Sequence, residues 1–173
     1  MVRAATPGDA RAMAGVHVRA WRAAYRGILP PQLLAERSVD MRERSWREAI
    51  GPGDRGGVTL VSEADEPGRP LAGFCALALP GRDDDAGERT AEVRAAYVDP
   101  ARWQSGIGRS LLGSALGSLE PGAWDDVTLW VFLRNAQARA FFARSGFRLD
   151  GARMTHTASG VPTARMRLTL DQA

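Results

Sequence analysis

Apolar positions keep two rhythms along the chain, a helical one in the first third and a strand-like one in much of the rest. Turn-forming residues mark the changes. Val2 to Ala5 predicts a short first strand. Thr6-Pro7-Gly8-Asp9 then carries the marks of a helix start, with Thr as N-cap, Pro at the first position and Asp in the first turn. This helix runs to about Arg26, where Gly27-Ile28-Leu29-Pro30-Pro31 breaks it. A second helical region covers Gln32 to Ala49, interrupted near Ser38-Val39-Asp40 and closed by Gly51-Pro52-Gly53-Asp54.

Val58 to Ala64 and Leu71 to Leu79 are β-compatible runs on either side of the polar turn Asp65 to Pro70, which predicts a hairpin. Thr90 to Val98 predicts a further strand. Gly106 to Leu119 predicts a helix with Ile107, Leu111, Leu112, Ala115 and Leu119 on one face. Val127 to Leu133 returns to strand, and Asn135 to Ser145 is a short helix ended by Gly146. Phe147 to Ala152 and Ala164 to Leu170 complete the sheet. The order describes a mixed α/β sandwich with one crossover through the helix at Gly106.

At 173 residues the chain suits a single domain, residues 1–173, with a core that needs no staples. Hydrophobic residues at 45% and charged residues at 25% exclude a disordered chain. The net charge of +3 does not point to nucleic acid, because the arginines are scattered among 20 acids without a basic block. The chain has no lysine, and its wealth of Ala, Gly and Arg fits the coding bias of a GC-rich bacterial genome. Cys75 stands alone in an apolar strand, which leaves no internal disulfide and no cysteine metal cluster and makes a cytoplasmic location the default. The first residues lack an apolar targeting core, and no run approaches the ~18 apolar residues of a membrane span. For Asp83-Asp84-Asp85 a solvated turn is favoured over a metal site, and no metal is expected.

Candidate chemistry concentrates between Tyr97 and Leu112, where an apolar strand meets an amphipathic helix through a glycine-rich turn. Gly106 and Gly108 let backbone approach a ligand, and the helix that follows aims unpaired amides and a positive dipole end at it. Arg102 precedes the turn, while Arg109 lies in the first helical turn, where a cation opposes the dipole unless an anion is bound. The other reading is a plain loop with surface arginines. The glycine spacing fits neither the P-loop nor the dinucleotide fingerprint.

The element order, this turn and the later run Asn135 to Phe147 resemble the GNAT superfamily of N-acetyltransferases over nearly the whole chain. The family's loop pattern [QR]xxGx[GA] falls on Trp103-Gln104-Ser105-Gly106-Ile107-Gly108, with Trp103 departing at the first position. The stretch His17 to Gly27 is similar to one bacterial branch of small-molecule or peptide amine acetyltransferases. The resemblance implies an α/β fold with a mixed, mostly antiparallel central sheet flanked by helices, acetyl-CoA as co-substrate and an amine of a small molecule or peptide as acceptor. It implies that backbone groups of Tyr97 and Val98 pair with the pantetheine arm where two central strands splay. The amides from Gln104 through Ser105, Gly106, Ile107, Gly108 and Arg109 to Ser110 would hold the pyrophosphate, with Arg102, Gln104 and Arg109 making up for Trp103. Asn135 would touch the cofactor, or cap its helix, or both. Members of the family are often dimers.

Acyl transfer needs a neutral amine, yet an alkyl ammonium of pKa about 10.4 is mostly protonated at pH 7, a handicap of roughly 4 to 5 kcal/mol. Glu92 resembles the family's proton-removing carboxylate; its other reading is an exposed strand residue. The family's thiolate-protonating Tyr falls on Phe142, which leaves water, the ammonium intermediate, Tyr25 or unassisted thiolate departure. His17, Trp21 and Tyr25 share one face of the first helix. Trp21 and Tyr25 are candidates for the acceptor pocket, although such a stripe is more often core. His156 has no assigned role. A second reading, prompted by Phe142, is a non-catalytic acyl-CoA-binding regulatory module of the same fold.

Overall fold

The computed structural model describes residues 1–51, 57–64, 70–83, 85 and 87–170. Thr6 opens the first helical segment as the sequence predicts: its N–H and hydroxyl donate to Asp9 Oδ2 at 2.8 and 2.9 Å. Arg3 of β1 (Val2–Ala4) grips the same carboxylate and holds its pKa down at about 2. One 3-10 turn leads into α1 (Ala10–Ala24), which ends just before the left-handed Gly27, φ 76°. The interruption expected near Ser38 is a cap: Ser38 Oγ accepts from the Met41 N–H at 3.2 Å, separating α2 (Pro31–Ala35) from α3 (Val39–Ile50).

The sheet contains β1, β2 (Val58–Glu63), β3 (Leu71–Ala78), β4 (Thr90–Val98), β5 (Asp126–Phe132), β6 (Arg148–Thr155) and β7 (Pro162–Thr169). Its order is β1-β2-β3-β4-β5-β7-β6. Every pairing is antiparallel except β4 with β5. That parallel pair needs a crossover, which α4 (Ile107–Gly117) supplies. α5 (Ala136–Arg144) follows β5 and is capped by Asn135, whose Oδ1 accepts from the Ala138 N–H at 3.0 Å. β2 and β3 do pair as a hairpin, but its turn at residues 65–69 lies outside the described residues, as do Pro52 to Asp54.

Two cores form on opposite faces of the sheet. Cys75, Leu77, Ala91, Val93, Val127 and Leu129 pack with Leu111 and Leu112 of α4. Phe74, Ala76 and Ala95 pack with Met13 and Val16 of α1 and Trp46 of α3. β3 is buried along its whole length and supplies alternate residues to both cores. Burial pushes the Cys75 thiol up to about 12, so it is inert apolar packing.

A bulge in β4 sets up everything that follows. Against β3 the register steps from Ala76↔Ala95 to Leu77↔Val93, leaving Arg94 as the extra residue. Ala91 and Val93 therefore face α4, while Ala95 and Tyr97 face α1. Glu92, before the bulge, and Tyr97, after it, line the same cleft, which strict alternation over five residues forbids. Pairing with β5 also stops at Glu92↔Thr128, one residue before the bulge begins to turn β4 away.

In the acidic run Asp85 is an exposed turn residue, as expected, whereas Asp83 is drawn into the fold. Asp83 accepts from Trp130 Nε1 at 2.9 Å, and Arg165, only 6% exposed, binds both Asp83 and Asp85. Asp84 lies outside the described residues. Among the described residues no cluster of His, Cys, Asp or Glu is arranged to hold a metal, and no helix is long and apolar enough to cross a membrane.

Candidate active site

Beyond Glu92 and Thr128, β4 and β5 diverge. The Asp99 N–H donates to Ala72 O at 2.8 Å, which fixes Ala72/Asp99 and Phe74/Tyr97 as hydrogen-bonded pairs of the β3–β4 ladder. The backbone groups of Ala96 and Val98 therefore point toward β5, into the splay. Tyr97 offers its ring to the site, and its backbone groups, expected to face a ligand, belong to the ladder. Ala96 was missed because only the register identifies it.

The splay encloses a pocket of about 70 Å³ lined by Ala96, Leu129, Asn135 and Phe142. Phe142 is 9% exposed and packs edge-on to Phe141 and Phe147, so no hydroxyl enters from α5 at this point. Asn135 caps α5, as one of its readings has it, and also lines the pocket.

The glycine loop closes one end of the splay. Gln104 (φ 63°) and Gly106 (φ 85°) are left-handed, which curls successive amides to one side. Ile107, Gly108 and Arg109 open α4, where no intrahelical carbonyl meets their N–H groups. Ser110 was expected to offer its amide too, but that N–H donates to Gly106 O at 3.0 Å, the first bond of the helix. Gly108 is not left-handed, and an added Cβ there would make ordinary contact with the Phe141 ring at 3.4 Å. Trp103 takes a structural part in the loop. Its Nε1 donates to Val98 O at 2.9 Å, tying the loop to the strand that precedes it. Ser105 Oγ donates to Arg102 O at 2.6 Å, and Arg109 lies exposed in the first turn of α4. An anion with a long, thin tail fits this arrangement, the anion on the loop amides and the tail in the splay.

On the α1 face lies a larger cleft of about 1090 Å³. Trp21 and Tyr25, the candidates for the acceptor pocket, both line it. Tyr25, Tyr97 and Phe132 border the cleft and the splay alike, so they stand where the two meet. The Tyr25 and Tyr97 side chains interact with each other, and burial raises the pKa of both. Glu92 lines the cleft, and its Oε2 accepts from the Arg82 N–H at 3.1 Å.

His17 is 5% exposed and stacks on Tyr97 at 4.4 Å. Trp46 Nε1 donates to its Nδ1 at 3.2 Å, and since an indole N–H can only donate, the ring proton is on Nε2. Burial, with a lesser contribution from Arg42, lowers its pKa to about 3, so the ring is neutral.

Several lining residues escaped the sequence analysis. Arg42, Trp46 and Ala49 recur on one face of α3, and Trp130 and Phe132 alternate on β5, so periodicity carried a signal for both sets. His156 also lines the cleft, with Nδ1 2.8 Å from Ser159 Oγ. Nothing in its local sequence places it there.

The fold has counterparts among known proteins. The model of the acetyltransferase (GNAT) family matches residues 19–147. The Mycobacterium tuberculosis protein called Probable N-acetyltransferase Rv2775 is 34% identical over 158 residues, covering 89% of this chain and 83% of that one. The PaiA N-acetyltransferase from Thermoplasma acidophilum, solved with coenzyme A, superposes with a TM-score of 0.74 at 18% identity, covering 98% of each chain. YncA from Salmonella typhimurium, solved with its cofactor acetyl-CoA, gives a TM-score of 0.72 at 22% identity, covering 100% of this chain and 95% of that one. The family model and the Mycobacterium tuberculosis relative together mark the chain as an acyltransferase. The chain belongs to the GNAT family and is an acetyl-CoA-dependent N-acetyltransferase.

Proposed function

We propose that the protein transfers the acetyl group of acetyl-CoA to a primary amine of a small molecule or peptide bound in the α1-side cleft. Acetyl-CoA supplies a thioester carbonyl that a neutral amine attacks, forming an amide; the amine loses one proton and the departing thiolate gains one. The chain's own residues divide the rest. The loop amides from Gln104 to Arg109 hold the pyrophosphate, the Ala96 and Val98 backbone groups accompany the pantetheine arm, and the Val98 N–H donates to the thioester carbonyl. Val98 O is already occupied by Trp103, so the N–H is the group this residue has to offer.

Glu92 removes the proton from the amine, directly or through water, from its place on the cleft wall. Its Oε2 is oriented by the Arg82 N–H. Tyr25 gives the proton to the sulfur. Phe142 denies α5 that role, and Tyr25 supplies a hydroxyl where cleft and splay meet, held protonated by burial. That junction is the observation that carries the reading, because Tyr25 borders both cavities there while Glu92 lines the wall of the larger one.

The test is a thiol-release assay against amino acids, polyamines, aminoglycosides and peptide N-termini, run beside acetyl-CoA titration calorimetry. Turnover with at least one amine, and a loss of roughly 10²–10⁴ in kcat for Glu92→Gln at unchanged acetyl-CoA affinity, is expected. Acetyl-CoA binding without thiol release from any amine favours the regulatory module prompted by Phe142.

A further inference from the structure

The α1-side cleft is cationic. Arg37, Arg42, Arg82 and Arg94 line it against two carboxylates, Glu48 and Glu92, and Glu48 sits exposed. The neutral His17 adds no charge to this balance. Elsewhere some arginines hold acids, as Arg3, Arg11, Arg19, Arg89, Arg165 and Arg167 do, and others stand in solvent. Among the described residues Arg37, Arg42 and Arg82 hold none. Arg37 is nonetheless fixed, its guanidinium stacked 3.5 Å over the Trp21 ring with its N–H edges left for a planar anion.

Buried donors converge on the same wall. His17 Nε2 carries its proton and, among the described residues, has no acceptor; Trp21 Nε1 has none either. Both rings are more than nine-tenths buried, and both line the cleft. A buried donor left unpaired is costly, and a bound acceptor atom recovers that cost. A cleft for a simple alkylamine or a polyamine needs the reverse, carboxylates and carbonyls facing an ammonium.

We propose that the acceptor is an amine that also carries a carboxylate, received by Arg42 and Arg37 together with the His17 Nε2–H and Trp21 Nε1–H. This rests on the cleft being the acceptor site of the proposed reaction. The arginines then serve twice. They anchor the carboxylate through charge-assisted hydrogen bonds, and their field disfavours an ammonium beside Glu92, which eases formation of the neutral nucleophile. Trp21, Trp46, Trp130 and Phe132 supply apolar walls, so the carboxylate-bearing amine has an apolar body.

The experiment compares phenylalanine with phenethylamine, leucine with isoamylamine, and both pairs with spermidine, by kcat/KM at saturating acetyl-CoA. Calorimetry of 3-phenylpropionate against the CoA-loaded protein measures the carboxylate alone, without turnover. Each amino acid should exceed its decarboxylated amine at least tenfold, spermidine should be the poorest, and 3-phenylpropionate should bind. Arg42→Gln and Arg37→Gln should each weaken 3-phenylpropionate roughly tenfold and bring the paired ratios toward one. Equal or reversed ratios, with acetyl-CoA bound and amines still acetylated, overturn the carboxylate and leave the acetyltransferase standing. Failure to bind acetyl-CoA overturns both.

Discussion

Arg19 of α1 holds Asp99, the residue just after β4, with Nη2 2.6 Å and Nε 2.8 Å from Oδ2. The other carboxylate oxygen accepts from the Ala101 N–H at 3.1 Å. The Asp99 side chain is 5% exposed, so its orientation is fixed from both sides. This pair sets the direction in which the chain leaves the sheet for the glycine loop, and couples that direction to the helix lining the acceptor cleft.

Arg19→Ala should leave the Asp99 carboxylate buried with only the Ala101 N–H. The expected cost is of order 1–3 kcal/mol in stability, read from urea unfolding, together with a several-fold weaker acetyl-CoA affinity. Arg19→Lys keeps the charge but loses the two-pronged contact, and should fall between. Unchanged calorimetric affinity in Arg19→Ala would show that the loop holds its shape without α1.

Much of this was legible in the sequence, for identifiable reasons. Thr6, Ser38, Asn135 and Gly146 act through their immediate neighbours, so element ends were readable from local chemistry. The glycine loop was readable because its function resides in backbone that only certain residues permit. The bulge at Arg94 was not, since an inserted residue in a strand leaves no compositional trace when its neighbours suit both faces. The faces of Glu92 and Tyr97, and the exposure of the Ala96 backbone, follow from that bulge and register. The pairing of Asp83 and Asp85 with Arg165 was not legible either, because that partner is some 80 residues away in sequence.

Tyr25→Phe tests the assigned acid. Burial keeps the phenol protonated well past its ordinary range, so Tyr25 should contribute no alkaline limb to the rate profile. The variant should lose roughly 10²-fold in kcat while the pH profile keeps its shape. Loss of the hydroxyl contact with Tyr97 should cost about 1 kcal/mol of stability, too little to explain that fall. A wild-type rate in Tyr25→Phe would assign the proton to water or leave the thiolate unprotonated.

His17 makes the fold sensitive to mild acid. Its folded pKa of about 3 lies below the unfolded value of 6.5, so the unfolded chain takes up the proton first as pH falls. The contribution is whole above pH 6.5 and is lost progressively toward pH 3, by up to about 1.4 kcal/mol per pH unit. Asp9, depressed from 3.8 to about 2, acts in the same direction but only at lower pH. His17→Gln can still accept from Trp46 and removes the titration. Between about pH 7 and pH 5 the wild-type melting temperature should fall further than the variant's, and parallel slopes would place the buried ring's titration elsewhere.

Gly106 and Gly113 separate backbone conformation from space. An added Cβ meets nothing within 4 Å at either position, so steric crowding is equal and absent. Gly106 has φ 85°, whereas Gly113 lies within α4 without a positive φ. Gly106→Ala should therefore strain the loop by about 1–2 kcal/mol, or push it out of its left-handed turn and misdirect the amides of Ile107 to Arg109. Gly113→Ala should stabilise the protein by roughly 0.5–1 kcal/mol, because alanine loses less freedom in a helix. Calorimetry should find acetyl-CoA affinity reduced in the first variant and unchanged in the second. A Gly106→Ala protein that binds acetyl-CoA as tightly as wild type would remove the glycine loop from the cofactor site and leave only the splay.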